Sequence, residues 1–193
     1  MKIFITADYE GVSGHVQWNT AGDREAITQD INSAVAGAFE GGAKEVLVGE
    51  AHGNMRNIIP EMLDPRVAFL SGQPKPLNHA SGIDSTFDAA MLVAYHAKSG
   101  TRYGIMAHTY TGSVFSLKFN DLEVGELGTD SAIAGHFGVP VILVTGDKSA
   151  CDEGLLLISN LEAVAVKEGV SRSAGKCLHP QEARKLIKEG AKR

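Results

Sequence analysis

Basic residues are in short supply. Eighteen lysines and arginines stand against 23 aspartates and glutamates, a formal charge of −5. That leaves no basic face for a nucleic acid. The one basic stretch, Arg184 to Arg193, is interrupted by Glu189 and reads as the solvated side of a helix. Cysteine is scarcer still: Cys151 and Cys177 cannot make a disulfide framework, and both thiols are expected reduced. No apolar run is long enough to span a bilayer. The amino terminus enters a strand at once, without the charged, apolar and cleavage regions of a signal peptide. These absences together give the expectation of a cytoplasmic protein. No Gly-x-Gly-x-x-Gly follows a strand, which argues against a dinucleotide cofactor. Gly169 to Cys177 imitates a phosphate loop, but its glycines are one residue too far apart. Cysteine also stands where a hydroxyl should meet magnesium.

What is present suits one α/β domain. The 193 residues, 44% hydrophobic, are enough for a sizeable core. Ile3, Phe4 and Ile5 open a buried strand. Ile27, Ile31, Val35 and Phe39 recur every four residues in a helix expected over residues 23–40, stopped by Gly41 and Gly42. Lys44 to Val48 reads as a second buried strand. Further strands are expected at 66–70, 89–95, 103–107, 141–144 and 163–166, and helices at 54–63, 126–137, 152–158 and 181–191. Val114 to Glu126 reads as a β-hairpin turning at Asn120-Asp121. Strands alternating with helices predict a layered α/β fold. Its sheet is expected to be mostly parallel or mixed, of Rossmann or phosphorylase type, with a hairpin insertion.

Ligand-type residues recur at the strand exits. Asp8 and Glu10 follow the first strand, His52 the second, His96 the strand at 89–95, and His108 the segment at 103–107. Glu126 follows the hairpin. Open α/β sheets keep their chemistry at these carboxyl ends. Asp8 and Glu10, two apart in an extended segment, point the same way, and converging carboxylates repel unless a cation lies between them. A blander reading has Asp8 capping a turn and Glu10 solvated. Two histidines with three carboxylates suit a pair of divalent ions such as zinc, an arrangement able to hydrolyse acyl or phosphoryl bonds. His108 is then left for proton transfer. His15 could line a pocket or be structural. His79, His136 and His179 read as incidental.

The motifs Asp8-Tyr-Glu10-Gly-Val-Ser-Gly, Glu50-Ala-His52, Tyr95-His96-Ala97 and Gly104-Ile-Met-Ala-His108 run in order along the chain. Asn120-Asp121, Val124-Gly-Glu126-Leu-Gly and Ser171-Arg-Ser-Ala-Gly-Lys-Cys follow. Together they resemble the zinc-dependent D-aminopeptidases of the DppA type. The resemblance implies an aminopeptidase acting on the amino-terminal residue, preferentially a D-residue, of short peptides or amino-acid amides. It implies two zinc ions per subunit at the positions of Asp8, Glu10, His52, His96 and Glu126, with Asp8 bridging, and a catalytic role for His108. It also implies a ring-shaped homo-oligomer, for which a decamer is one candidate size, with its sites on an internal channel. Members of that family continue beyond the point matching Arg193, so residues 1–193 are read as a catalytic domain without the family's carboxyl-terminal extension. Glu50-Ala51 also stands where an aspartate-serine pair is expected. The competing readings are another binuclear hydrolase, an amidase or phosphoesterase, and a non-catalytic protein that binds a metal or small ligand on the same fold.

Overall fold

The computed structural model describes residues 1–193. Its centre is a seven-stranded sheet. The strands are β1 (Lys2–Ala7), β2 (Glu45–Glu50), β3 (Ala68–Leu70), β4 (Ala89–Tyr95), β7 (Val141–Asp147), β8 (Glu162–Ser171) and β9 (Ala174–Cys177). They lie in the order β3-β2-β1-β4-β7-β8-β9, all parallel except the last pair. β5 (Leu117–Phe119) and β6 (Leu122–Val124) form a separate antiparallel hairpin. The expected mostly parallel α/β fold with a hairpin insertion is the fold observed.

Strand alternation feeds two cores. Ile3 and Ile5 face the helix α1 (Asp23–Glu40), packing with Ile27, Ile31 and Val35, and with Ala183 and Ile187 of α4 (Pro180–Lys192). Phe4 points the other way, in a cluster with Leu92, Val144, and Leu127 of α2 (Glu126–His136). The helix α3 (Lys148–Leu157) starts directly from β7, its first turn capped by the Asp147 carboxylate accepting from the Ala150 amide at 2.7 Å. α4 buries Ala183, Ile187 and Ala191 and turns most of its charges outward, as its basic stretch suggested, while Arg184 reaches in to the buried Asp30 at 3.0 Å.

Two segments depart from expectation. Residues 103–107 are no strand, because Tyr103 and Met106 adopt positive φ, which ends any extended run. Neighbours hold the segment instead: the Ile105 amide donates to Asp147 at 2.7 Å and the Met106 amide to the Arg172 carbonyl at 2.8 Å. Residues 54–63 are not an α-helix either. Only Pro60–Met62 winds, as one 3-10 turn, and Met55 lies at φ 56. The sequence that imitates a phosphate loop is the antiparallel β8–β9 hairpin, an edge that caps the sheet.

The chain order reverses between β1 and β4. From β1 the sheet grows outward to β2 and β3, then resumes with β4 on β1's other side. Such a reversal opens a crevice beyond the strand ends. β4 is deformed there: its register with β7 shifts between Leu92 and Tyr95, and Ala94 sits at φ 59 with its amide on the Thr145 hydroxyl at 3.0 Å. This bulge turns the chain from Tyr95 into His96. Gly11 closes the crevice from the other side. Its amide donates to the Ala94 carbonyl at 2.8 Å, and a Cβ there would collide with the backbone of Ala94 and Tyr95. Gly11→Ala should therefore destabilise the fold by about 2 kcal/mol or more, seen as a lowered denaturation midpoint with an unchanged m-value.

Candidate active site

Asp8 lies one residue past β1, its amide on the Val93 carbonyl at 2.9 Å. Its own carboxylate accepts from the Tyr9 amide at 2.8 Å, so backbone on both sides fixes it. Glu10 follows on the turn closed by Gly11. Both carboxylates are 1% exposed. His52 sits just beyond β2, with Nδ1 3.0 Å from Glu10 Oε2 and 3.6 Å from Asp8 Oδ1. His96 sits just beyond β4, with Nε2 3.2 Å from Asp8 Oδ2 and 3.3 Å from Glu126 Oε1. Glu126 is the first residue of α2, where the helix dipole favours a negative charge. The Tyr110 amide donates to its Oε1 at 2.6 Å. His108 brings Nε2 to 3.6 Å from Glu126 and 3.8 Å from Glu10. Its ring stacks on His96, centroids 4.1 Å apart and 10° from parallel. The structure thus gathers all six residues around one point, although His108 follows an irregular segment and not a strand.

Three groupings are close enough to share a cation: Asp8 with Glu10 and His52, Asp8 with His96 and Glu126, and Glu10 with His96 and His108. Asp8 belongs to the first two, one oxygen facing each. The histidine tautomers fit such a role. His96 Nδ1 lies 2.9 Å from the Ala97 carbonyl and His108 Nδ1 2.8 Å from the Met106 carbonyl. A carbonyl accepts only from N–H, so each Nδ1 carries a hydrogen and each neutral ring turns an Nε2 lone pair to the carboxylates. His96 Nε2 and Asp8 Oδ2 are buried without a hydrogen-bond partner although they lie 3.2 Å apart. Lone pairs aimed at lone pairs are stable only with positive charge between them, which a divalent ion supplies.

The ionisation behaviour has the same origin. Burial is the largest influence on Asp8 and would raise its pKa, but the His52 and His96 imidazoles beside it outweigh that and hold the carboxyl well below its ordinary value. Burial would lower His52. Asp8 and Glu10 instead push it up to about 10, and Asp8 and Glu126 push His96 well above 6.5. Protons on the imidazoles are one way of meeting the carboxylates' demand for positive charge. A divalent ion is the other, and it displaces those protons.

The site has a built backing that the sequence did not reveal. Lys167, 3% exposed on β8, donates to the carbonyls of Glu10 at 2.6 Å, Val12 at 2.8 Å and His15 at 2.5 Å. Burial pulls its ammonium down to about 8. Glu50 is buried and accepts from the amides of Asn57 and Ile58, shaping the loop after His52. His79, which the sequence left as incidental, is 5% exposed and lines the site. Its Nδ1 lies 3.3 Å from Asp130 and 3.6 Å from Glu126, and the Tyr95 hydroxyl donates to Asp130 at 2.7 Å. The signal available was Asp130 itself, one helical turn after Glu126. Trp18, the only tryptophan, donates Nε1–H to Glu10 Oε1 at 2.6 Å. His15 lies apart from the carboxylate cluster, 3.3 Å from the Tyr9 hydroxyl. His136 is at the end of α2, and His179 caps α4.

A cavity of about 450 Å³ opens over this cluster. Its floor is Asp8, Glu10, His52 and Glu126, and Trp18, His79, His108, Tyr110 and Arg172 stand around it. A second cavity of about 310 Å³ adjoins it behind Trp18 and His52.

Known proteins share this sequence and this architecture. The model of the M55 peptidase family, described as D-aminopeptidase, matches residues 1–193. A D-aminopeptidase of Bacillus subtilis (strain 168) is 39% identical over 197 residues, covering 98% of this chain and 72% of that protein. The solved structure of the Zn-dependent D-aminopeptidase DppA from Bacillus subtilis, described as a self-compartmentalizing protease, superposes with a TM-score of 0.96 at 38% identity. The match covers all of this chain and 73% of that one.

In protein stripped of divalent ions, His52 contributes stability that is fully present below about pH 6.5 and lost as the pH rises through about 10. The lowered Asp8 acts at the other end, its contribution disappearing as the pH falls below the ordinary carboxylate range. Thermal midpoints of chelator-treated protein should therefore decline between pH 6.5 and 10, and His52→Gln should make that decline shallower. An unaltered slope in the variant would mean that His52 does not carry the charge.

Proposed function

The chain belongs to the M55 D-aminopeptidase family, and from that premise we propose that it removes the amino-terminal residue, a D-amino acid, from short peptides or amino-acid amides, using two zinc ions per subunit. The observation that carries this reading is the pair of buried atoms His96 Nε2 and Asp8 Oδ2, close together and unpartnered, with Asp8 belonging to two carboxylate–histidine groupings. Asp8, Glu10 and His52 would hold one ion and Asp8, His96 and Glu126 the other, with Asp8 bridging. Bound zinc would supply Lewis acidity toward the scissile carbonyl, which no side chain here provides.

The chain's own residues do the rest. Hydrolysis adds water across the amide, breaks the C–N bond and places a proton on the leaving nitrogen. His108 Nε2 is the group to accept the proton released by the attacking water and to deliver it to that nitrogen. Its Nδ1–H is fixed on the Met106 carbonyl, and Nε2 faces Glu10 and Glu126 at the cavity floor. Asp130, through His79, steadies the Glu126 side, and Lys167 holds the turn that presents Glu10. Both cysteines are unpaired, as suits a reducing compartment, and we place the protein in the cytoplasm.

We further propose a ring-shaped homo-oligomer, a decamer being one candidate, with substrates limited to short peptides by an internal channel. Its support is an apolar surface: Leu122 is 54% and Phe119 41% exposed on the hairpin, beside a cavity also lined by Leu157 and Ile158. Exposed large apolar side chains so gathered mark an interaction surface.

Zinc-loaded protein should cleave D-alaninamide and D-alanyl dipeptides, lose activity to a chelator and regain it with zinc. Cleavage of phosphate esters in preference to these amides would replace the peptidase reading. His108→Ala should retain about two ions per chain by elemental analysis while kcat falls by roughly 10²- to 10⁴-fold. Asp8→Asn should lose the ions themselves, and loss of the ions in His108→Ala would instead make His108 a ligand. Leu122→Glu should yield a smaller species in sedimentation, and an unchanged assembly would move the interface elsewhere.

A further inference from the structure

Among the residues around the main cavity, Arg172 is the only lysine or arginine. It stands on the turn between β8 and β9, far in sequence from every other residue of the site and outside the six-residue cluster. Its guanidinium makes one hydrogen bond, Nη1 donating to the Ala107 carbonyl at 2.9 Å, and it enters no ion pair with any carboxylate of the chain. Its backbone is tied to the same segment, the Arg172 carbonyl accepting from Met106 at 2.8 Å. The guanidinium carbon lies 5.7 Å from the Trp18 ring, which in turn meets the His108 ring edge-on with centroids 6.0 Å apart. Arg172 is therefore held beside His108 with most of its donors uncommitted.

This position has a chemical meaning if the cavity takes a peptide, and the inference rests on the aminopeptidase reading. The rim of the cavity holds this one fixed cation, and a dipeptide carries a free carboxylate that an amide lacks. His108 marks where the leaving nitrogen must lie, and in a dipeptide that nitrogen is separated from the carboxyl carbon by two bonds, about 2.5 Å. The carboxylate of the leaving residue thus falls on the His108 side of the cavity, where Arg172 stands. A guanidinium fork with free N–H groups is the side chain best matched to a carboxylate. We propose that Arg172 binds the free carboxylate of the leaving residue, making this a site selective for dipeptides over amides and carboxyl-blocked peptides.

The test is a cycle of two changes, one in the substrate and one in the protein. Initial kcat/KM is measured on zinc-loaded protein for D-alanyl-D-alanine and D-alanyl-D-alaninamide, which differ only in the carboxylate. Wild-type protein should prefer the free acid by roughly ten- to hundredfold, the usual range for a charge-assisted pair. Arg172→Met should erase that preference, and Arg172→Lys, keeping charge without the fork, should retain part of it. A preference that survives Arg172→Met, or no preference in the wild type, overturns the assignment. So does an equal fall on both substrates, which would mean that Arg172 serves only to hold the Ala107–His108 segment. A wild-type protein that cleaves neither compound, yet binds zinc, removes the aminopeptidase reading and this one with it, a result distinct from the others. Arg172 is exposed on a hairpin turn, and thermal midpoints of the variants confirm folding before the ratios are compared.

Discussion

Three buried carboxylates, Asp8, Glu10 and Glu126, crowd one small volume at the end of the sheet, and their mutual repulsion is the constraint around which the structure is built. Each is placed by rigid elements: two by the exit of β1, one by the first turn of a helix whose dipole favours it. Each is then faced by an imidazole nitrogen. The strain is not relieved by water, since two of the carboxylates are 1% exposed and the third 4%. Positive charge must therefore come to them, and the tautomer fixed by the Ala97 carbonyl prepares the His96 imidazole to share it with a metal.

The topology explains why such a cluster can form. At the reversal between β1 and β4 the sheet opens a crevice beyond its strand ends, and the residues after Ala7 and Tyr95 meet there. The β4 bulge and the close approach of Gly11 then bring His96 and Asp8 within contact. Neither device supplies chemistry; both supply position.

Much of this was legible in the sequence because periodicity and strand exits are local signals. Ile27, Ile31 and Val35 announced α1, and Asp8, His52 and His96 each follow a plainly apolar strand. What was illegible depends on distant contacts. The segment 103–107 reads as a strand by composition, but Tyr103 and Met106 turn out of the extended region while Asp147 and Arg172 hold it from outside. His79 carries no local mark, since its meaning comes from Asp130, 51 residues away. Lys167 looks like an ordinary polar residue of an edge-side strand, and nothing near it in sequence shows that its ammonium is buried against the first turn.

That last contact bears on how the protein comes into being. All six clustered side chains are made by the time residue 126 leaves the ribosome, yet the turn carrying Glu10 is fastened by an ammonium 157 residues downstream. A chain made only as far as residue 126 therefore holds Glu10 on an unsecured turn. The geometry of the cluster is thus secured only once Lys167 has been made, well after the last of the six side chains that form it.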